Sequence, residues 1–280
     1  MKNRIVGVST SREYLNREQF ALYAENGIGA FELSVNAEYY ECIDPKQIAA
    51  DANAEGVDSW SFHLPFYYFP GADIAKLDET ERKASVAFQS EWLKRIADAG
   101  FHHAVIHPSD EPIADADRAV ALEHSKQSIA ELAQVAKREG IILAVEDLPR
   151  SCLGNCSKEI AELISLDDSV GVCFDTNHLL LEPIEGFVRR FGDRIVTLHV
   201  SDYDFVDERH WLPGEGKINW ADLMDTLDAI GYDGVLMYEV NRGSCPTITR
   251  ETPLTPADFR QNADELFFRA PLTKRGTVLL

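Results

Sequence analysis

The chain has 280 residues, 45% of them apolar, and a formal net charge of −20. That length and apolar content suit a large folded core and exclude disorder, while the charge opposes nonspecific binding to polyanions such as nucleic acid. Five cysteines without a CxxC pair exclude a disulfide framework and read as reduced thiols of a cytoplasmic protein.

Taken in chain order, Met1 to Thr10 carries too short an apolar run for a signal peptide or a membrane span, and Ile5 to Ser9 is expected as a first strand. A recurring unit follows, in which a helix closes on glycine and a short apolar strand begins a few residues later. Gly27 precedes Ala30-Phe-Glu-Leu-Ser-Val35, Gly56 precedes Trp60-Ser-Phe-His63, and Gly100 precedes Ala104-Val-Ile-His107. Gly140 precedes Ile141 to Asp147, Gly192 precedes Ile195-Val-Thr-Leu-His199, and Gly231 precedes Val235-Leu-Met-Tyr-Glu239. Val170 to Asp175 completes a set of eight strands. Between them, 81–98, 117–138 and 220–230 repeat apolar residues at helical spacing. Asp44-Pro45 and Thr255-Pro-Ala-Asp258 are helix starts. Eight strands alternating with about eight helices predict an α/β fold, a single (β/α)8 TIM barrel over about 4–270 with a tail at 271–280. A doubly wound sheet is the competing fold, disfavoured because Val8-Ser-Thr-Ser-Arg12 lacks a phosphate-binding glycine loop.

Barrel chemistry is built where strands end. Those ends carry Glu32, His63, His107, Glu146, Asp175 with His178, His199 and Glu239. One such residue means little: His63 alone reads as a core histidine and Asp175 alone as a helix cap. Seven strand ends converging on one small volume would repel unless a cation neutralised the carboxylates. Mixed oxygen and imidazole donors suit one divalent metal ion: manganese, zinc, cobalt or magnesium.

In order and spacing, His63-Leu-Pro65, His107-Pro108, Val145-Glu-Asp147, Phe174-Asp-Thr-Asn-His178, Leu198-His-Val-Ser-Asp202, His210-Trp-Leu-Pro-Gly-Glu-Gly216 and Tyr238-Glu239 resemble the xylose isomerase-like TIM-barrel superfamily. That superfamily holds sugar isomerases and epimerases, inosose dehydratases and apurinic endonucleases. The resemblance implies that Glu146, Asp175, His199 and Glu239 are ligands of one divalent metal. It further implies that Glu146 and Glu239 move protons next to a metal-bound carbonyl, through an enediolate, with His178 contacting substrate. His63, His107, Arg150, His210, Trp211 and Arg242 join the expected substrate-binding set. Phe66, Tyr67, Tyr68, Tyr203 and Trp211 are expected to wall the apolar face of a sugar.

The expected partner is a small sugar or polyol, without nucleic acid or membrane. A homo-oligomer is compatible with Leu266-Phe-Phe268 packing on a second subunit or on the barrel. Three competing functions are retained: a lyase or dehydratase on a keto-sugar or cyclitol, an apurinic endonuclease-like phosphodiesterase, and a non-catalytic sugar-binding barrel. The endonuclease alternative uses His63, His107, His178 and His210, but Glu208 stands where those enzymes have aspartate, which puts a third metal in doubt.

Overall fold

The computed structural model describes residues 4–10, 15–67 and 69–279. Eight short strands run parallel: β1 (Val6–Ser9), β2 (Ala30–Leu33), β3 (Asp58–His63), β4 (His103–Ile106), β5 (Ile142–Glu146), β6 (Gly171–Asp175), β7 (Ile195–His199) and β8 (Leu236–Tyr238). Consecutive strands are neighbours from β1 to β7, and β8 lies against β1. The ring is completed where Val200 donates to the Met237 carbonyl at 2.8 Å and Glu239 donates to the Val200 carbonyl at 3.1 Å. The outer layer is α1 (Arg17–Glu25), α2 (Pro45–Ala54), α3 (Glu79–Ala99), α4 (Arg118–Glu139), α5 (Ser157–Leu163), α6 (Ile184–Phe191), α7 (Trp220–Ala229) and α8 (Pro256–Phe267). The chain is therefore a (β/α)8 barrel, as the glycine-punctuated repeat predicts.

The local signals act as their chemistry requires. Gly100 and Gly140 end α3 and α4 with φ of 89° and 75°, the left-handed region closed to most side chains. Asp44 caps α2 by accepting from the Lys46 and Gln47 amides, and Thr255 with Asp258 forms a reciprocal capping box at α8.

Strand parity decides what reaches the barrel axis, because successive side chains point to opposite faces. On β6, Val172 and Phe174 point outward into the main apolar core, where Phe174 stacks on Phe187 of α6 at 5.3 Å. Cys173 points inward and packs with Val105 and Ala144, and Ala30 meets Val235 and Met237 in the same interior. Gly7 keeps this end passable for β8, since a Cβ there would sit 2.6 Å from Val235 Cγ1. Two residues beyond those inward positions stand Glu32, His107, Glu146, Asp175 and Glu239, so parity aims all five at the upper barrel interior.

Two differences from the sequence reading concern the C-terminal end. β8 is three residues long, shorter than the run 235–239 read from the sequence, and at its end the isolated Val200–Tyr238 bridge continues the pairing. The segment expected as a plain tail forms β10 (Thr277–Val278), antiparallel to β9 (Ile248–Thr249). Two-residue strands carry no periodicity to read.

Candidate metal and active site

Glu146 is the hub of the barrel mouth. Its Oε1 lies 2.7 Å from His199 Nδ1, and its Oε2 lies 3.1 Å from both His63 Nε2 and His107 Nε2. Burial opposes a charge here, yet the three imidazoles outweigh it and hold the Glu146 carboxyl well below the usual range. His199 bridges onward, its Nε2 3.0 Å from Glu32 Oε2. Glu32 also accepts from Ser9 at 3.0 Å and Ser61 at 2.8 Å. For His199, too, burial opposes the charged form, and Cys173, Glu32, Glu239 and Glu146 around it raise its affinity for a proton well above normal.

Glu146, Asp175, His199 and Glu239 each present one ligand atom, all within 4.8 Å of one another. Within this group Asp175 Oδ1 accepts the Asn177 amide at 2.6 Å, but Oδ2 is buried without a hydrogen-bond donor. Burial pushes the Asp175 carboxyl up to about 7, against the pull of His178. An orphaned carboxylate oxygen facing two further carboxylates and an imidazole is a donor set that a divalent cation completes. These residues fit the metal that the sequence implies, and His199 is oriented for it: with Nε2–H on Glu32, Nδ1 faces the other three ligands.

Two more groups flank the first. His63, His107 and Glu146 meet the same spacing, as do His178, Glu208 and His210. His178 Nδ1 donates to the Asp147 carbonyl at 2.8 Å and His210 Nδ1 to the Glu239 carbonyl at 3.0 Å. Both rings thereby turn Nε2 toward Glu208 Oε1, 2.8 Å from His210 and 3.7 Å from His178. Burial opposes a charge on Glu208, but His178 and His210 hold its carboxyl far below normal. Glutamate in place of aspartate thus still brings a carboxylate oxygen within this group's spacing.

Of the expected substrate-binding residues, His63, His107, His178 and His210 converge here, and Phe66 lies over the first two with ring centroids 4.4 and 4.6 Å away. Two others go elsewhere, and Arg150 reaches the mouth only through Glu208. Trp211 is buried with its indole N–H on Thr247 Oγ1 at 3.0 Å, because the 210–216 loop folds back onto the chain after β8. Arg242 reaches Tyr23 Oη at 2.7 Å and lies over the Phe259 ring, between α1 and α8. Arg150 is engaged by Glu111, Asp207 and Glu208. Among the expected aromatic walls, Tyr203 is buried and donates to the Leu179 carbonyl, whereas Tyr67 is exposed. Tyr68, like Ser11 and Arg12, lies outside the described residues.

The motif around Gly214-Glu-Gly216 is structural. Asp202 accepts from the Gly214 amide at 2.8 Å, the Ile218 amide at 3.1 Å and the Trp220 indole at 2.8 Å. A side chain at Gly216 would collide with that carboxylate and with the Tyr203 carbonyl. The Asp202 amide and carbonyl pair with Trp211, which sets His210 at the mouth.

A (β/α)8 barrel with carboxylates and imidazoles gathered at its strand ends offers candidate metal sites there. The chain belongs to the xylose isomerase-like TIM barrel family, which matches residues 20–265. It is 27% identical over 228 residues to D-psicose 3-epimerase of Ruminiclostridium cellulolyticum, covering 77% of this chain and 75% of that protein. It is 26% identical over 189 residues to probable endonuclease 4 of Mycoplasmoides gallisepticum, covering 61% and 60%. The crystal structure of D-psicose 3-epimerase with D-tagatose from Clostridium cellulolyticum H10 superposes with a TM-score of 0.70 at 24% identity, over 86% of this chain and 87% of that one, a likeness of fold. Among the described residues no helix is long and apolar enough to cross a membrane.

Proposed function

We propose that the protein is a divalent-metal-dependent sugar isomerase or epimerase, acting by proton transfer at the carbon next to a carbonyl. The observation that carries this reading is that Glu146 and Glu239, from β5 and the end of β8, share one ligand group with Asp175 and His199. When bound, the cation would polarise the substrate carbonyl and neighbouring hydroxyl and stabilise the enediolate left by deprotonation.

The chain's own residues supply the rest. Glu146 and Glu239 are the carboxylates for removing and returning the proton, and Asp175 and His199 complete the ligand set. Glu146, 1% exposed, is shielded from bulk water, while Glu239, 18% exposed, reaches the open side of the site. His178 and His210, with Nδ1 committed to main-chain carbonyls, turn Nε2 toward Glu208 at the edge of the ligand group, with His178 next to Asp175 and so nearer the substrate. Similarity to a sugar 3-epimerase supports the reading. Incubation with manganese and a panel of ketoses, followed by separation of epimers, tests it. Epimer or aldose formation is expected, and release of a dehydrated product instead would place the protein among the lyases.

A second reading, phosphodiester cleavage, is favoured by the two flanking groups around Glu146 and Glu208, which would let the mouth load more than one cation. The charge of −20 opposes a polyanionic substrate. Nicking of an abasic duplex at moderate salt, without turnover of any ketose, would put this reading first.

A further inference from the structure

Arg150 stands in the loop after β5, and its guanidinium is committed to three carboxylates from two other loops. Nε and Nη2 hold Glu111 at 3.0 and 2.8 Å, and Nη1 donates to Asp207 Oδ1 and Glu208 Oε2, each at 2.9 Å. The backbone is built around this placement. Arg150 has φ of 51°, a left-handed conformation unfavourable for a non-glycine residue, and Asn155 donates to its carbonyl at 2.7 Å.

Glu208 is consequently divided between two sets of neighbours. Oε2 rests on Arg150, and Oε1 is left facing His210 and His178. A partly exposed glutamate on a loop loses rotamer freedom when held in one conformation. The Arg150 guanidinium, itself fixed by its two-pronged contact with Glu111, holds that carboxylate in place through Nη1.

From this we infer that Arg150 is a positioning residue, holding the Glu208 carboxylate as a ligand for a divalent cation in the His178–Glu208–His210 group. The inference rests on the reading that this group loads a cation, and it is independent of the sugar turned over. Coulomb's law alone predicts the opposite effect of removing Arg150, since deleting a positive charge beside a cation site would tighten binding. Weakened binding therefore reports lost positioning.

The test is equilibrium dialysis of metal-stripped protein against zinc, with elemental analysis and a melting curve for each variant. Wild type should hold more zinc than Glu208→Ala. Arg150→Met should weaken that same equivalent roughly 10-fold or more, and Arg150→Lys should restore only part, because one ammonium cannot grip Glu111 and reach Glu208 in the same fixed geometry. The double variant should bind no more weakly than Glu208→Ala alone, because both changes act on one ligand. Wild-type zinc affinity in a folded Arg150→Met protein, or fully additive losses in the double variant, overturns the positioning role alone. A Glu208→Ala protein that keeps every equivalent overturns it by removing the cation group beneath it. Both results are read from bound zinc, so failure of the positioning role is distinguishable from failure of ketose turnover, which is assayed separately.

Discussion

Glu32 and His199 form a fully buried pair from β2 and β7, with His199 Nε2 3.0 Å from Glu32 Oε2 and both side chains inaccessible to solvent. The carboxylate takes one ring N–H and so leaves Nδ1 to face Glu146, Asp175 and Glu239. Such outer carboxylates orient ligand histidines, and their loss costs roughly 10–100-fold in metal affinity. Glu32→Ala should weaken manganese binding by about that factor with all four ligands intact, and Glu32→Gln should weaken it less, its amide oxygen still accepting. Competition against a chelating dye measures both.

Asp175 links the metal to pH. Its ordinary value of 3.8 is pushed up to about 7 by burial, so the folded metal-free protein takes up that proton more readily than the unfolded chain. The group's contribution to stability therefore falls as pH climbs from about 4 to about 7, and the penalty is complete above that. Metal-free Asp175→Asn should unfold with about 1–3 kcal/mol more stability than metal-free wild type at pH 8, with the gap closing near pH 4. Manganese should reverse the order at pH 8, because only wild type gains the full binding energy. Denaturant titrations at the two pH values, with and without metal, read all of these outcomes.

Arg250 and Glu215 make a two-pronged ion pair at 2.7 and 2.6 Å with no side-chain exposure. Glu215 also accepts from the Leu212 and Arg275 amides, which ties the loop carrying His210 to the C-terminal segment. Arg250→Met leaves a buried carboxylate without its cation and should destabilise by about 3–5 kcal/mol. Adding Glu215→Gln, which neutralises the stranded charge and keeps an acceptor for one of those two amides, should recover part of the loss in urea unfolding.

The barrel was legible because strand and glycine spacing repeat over most of the chain, and because parity carries residues such as Asp175 and Glu239 inward by strand geometry alone. Glu32 was equally visible at the end of β2, but one acid on one strand does not reveal that it meets His199, 167 residues away. Trp211, Arg242 and Arg150 sit in loops, where no period fixes side-chain direction. Their partners, Thr247, Tyr23 and Glu111, come from distant segments. Glu208 shows the converse. By residue type it interrupts a pattern, and only the orientation of His178 and His210 shows that its longer arm reaches the same neighbours.

The central claim is proton transfer at carbon by Glu146 and Glu239, and exchange in heavy water tests it most directly. Wild type loaded with manganese, given a ketose panel in deuterium oxide, should place deuterium on the carbon next to the carbonyl of at least one sugar. Glu146→Gln and Glu239→Gln, examined at saturating manganese, should slow that exchange by about 100-fold or more. A metal-loaded wild-type protein that leaves every ketose free of deuterium, or a Glu239→Gln variant that exchanges at the wild-type rate, would contradict the account.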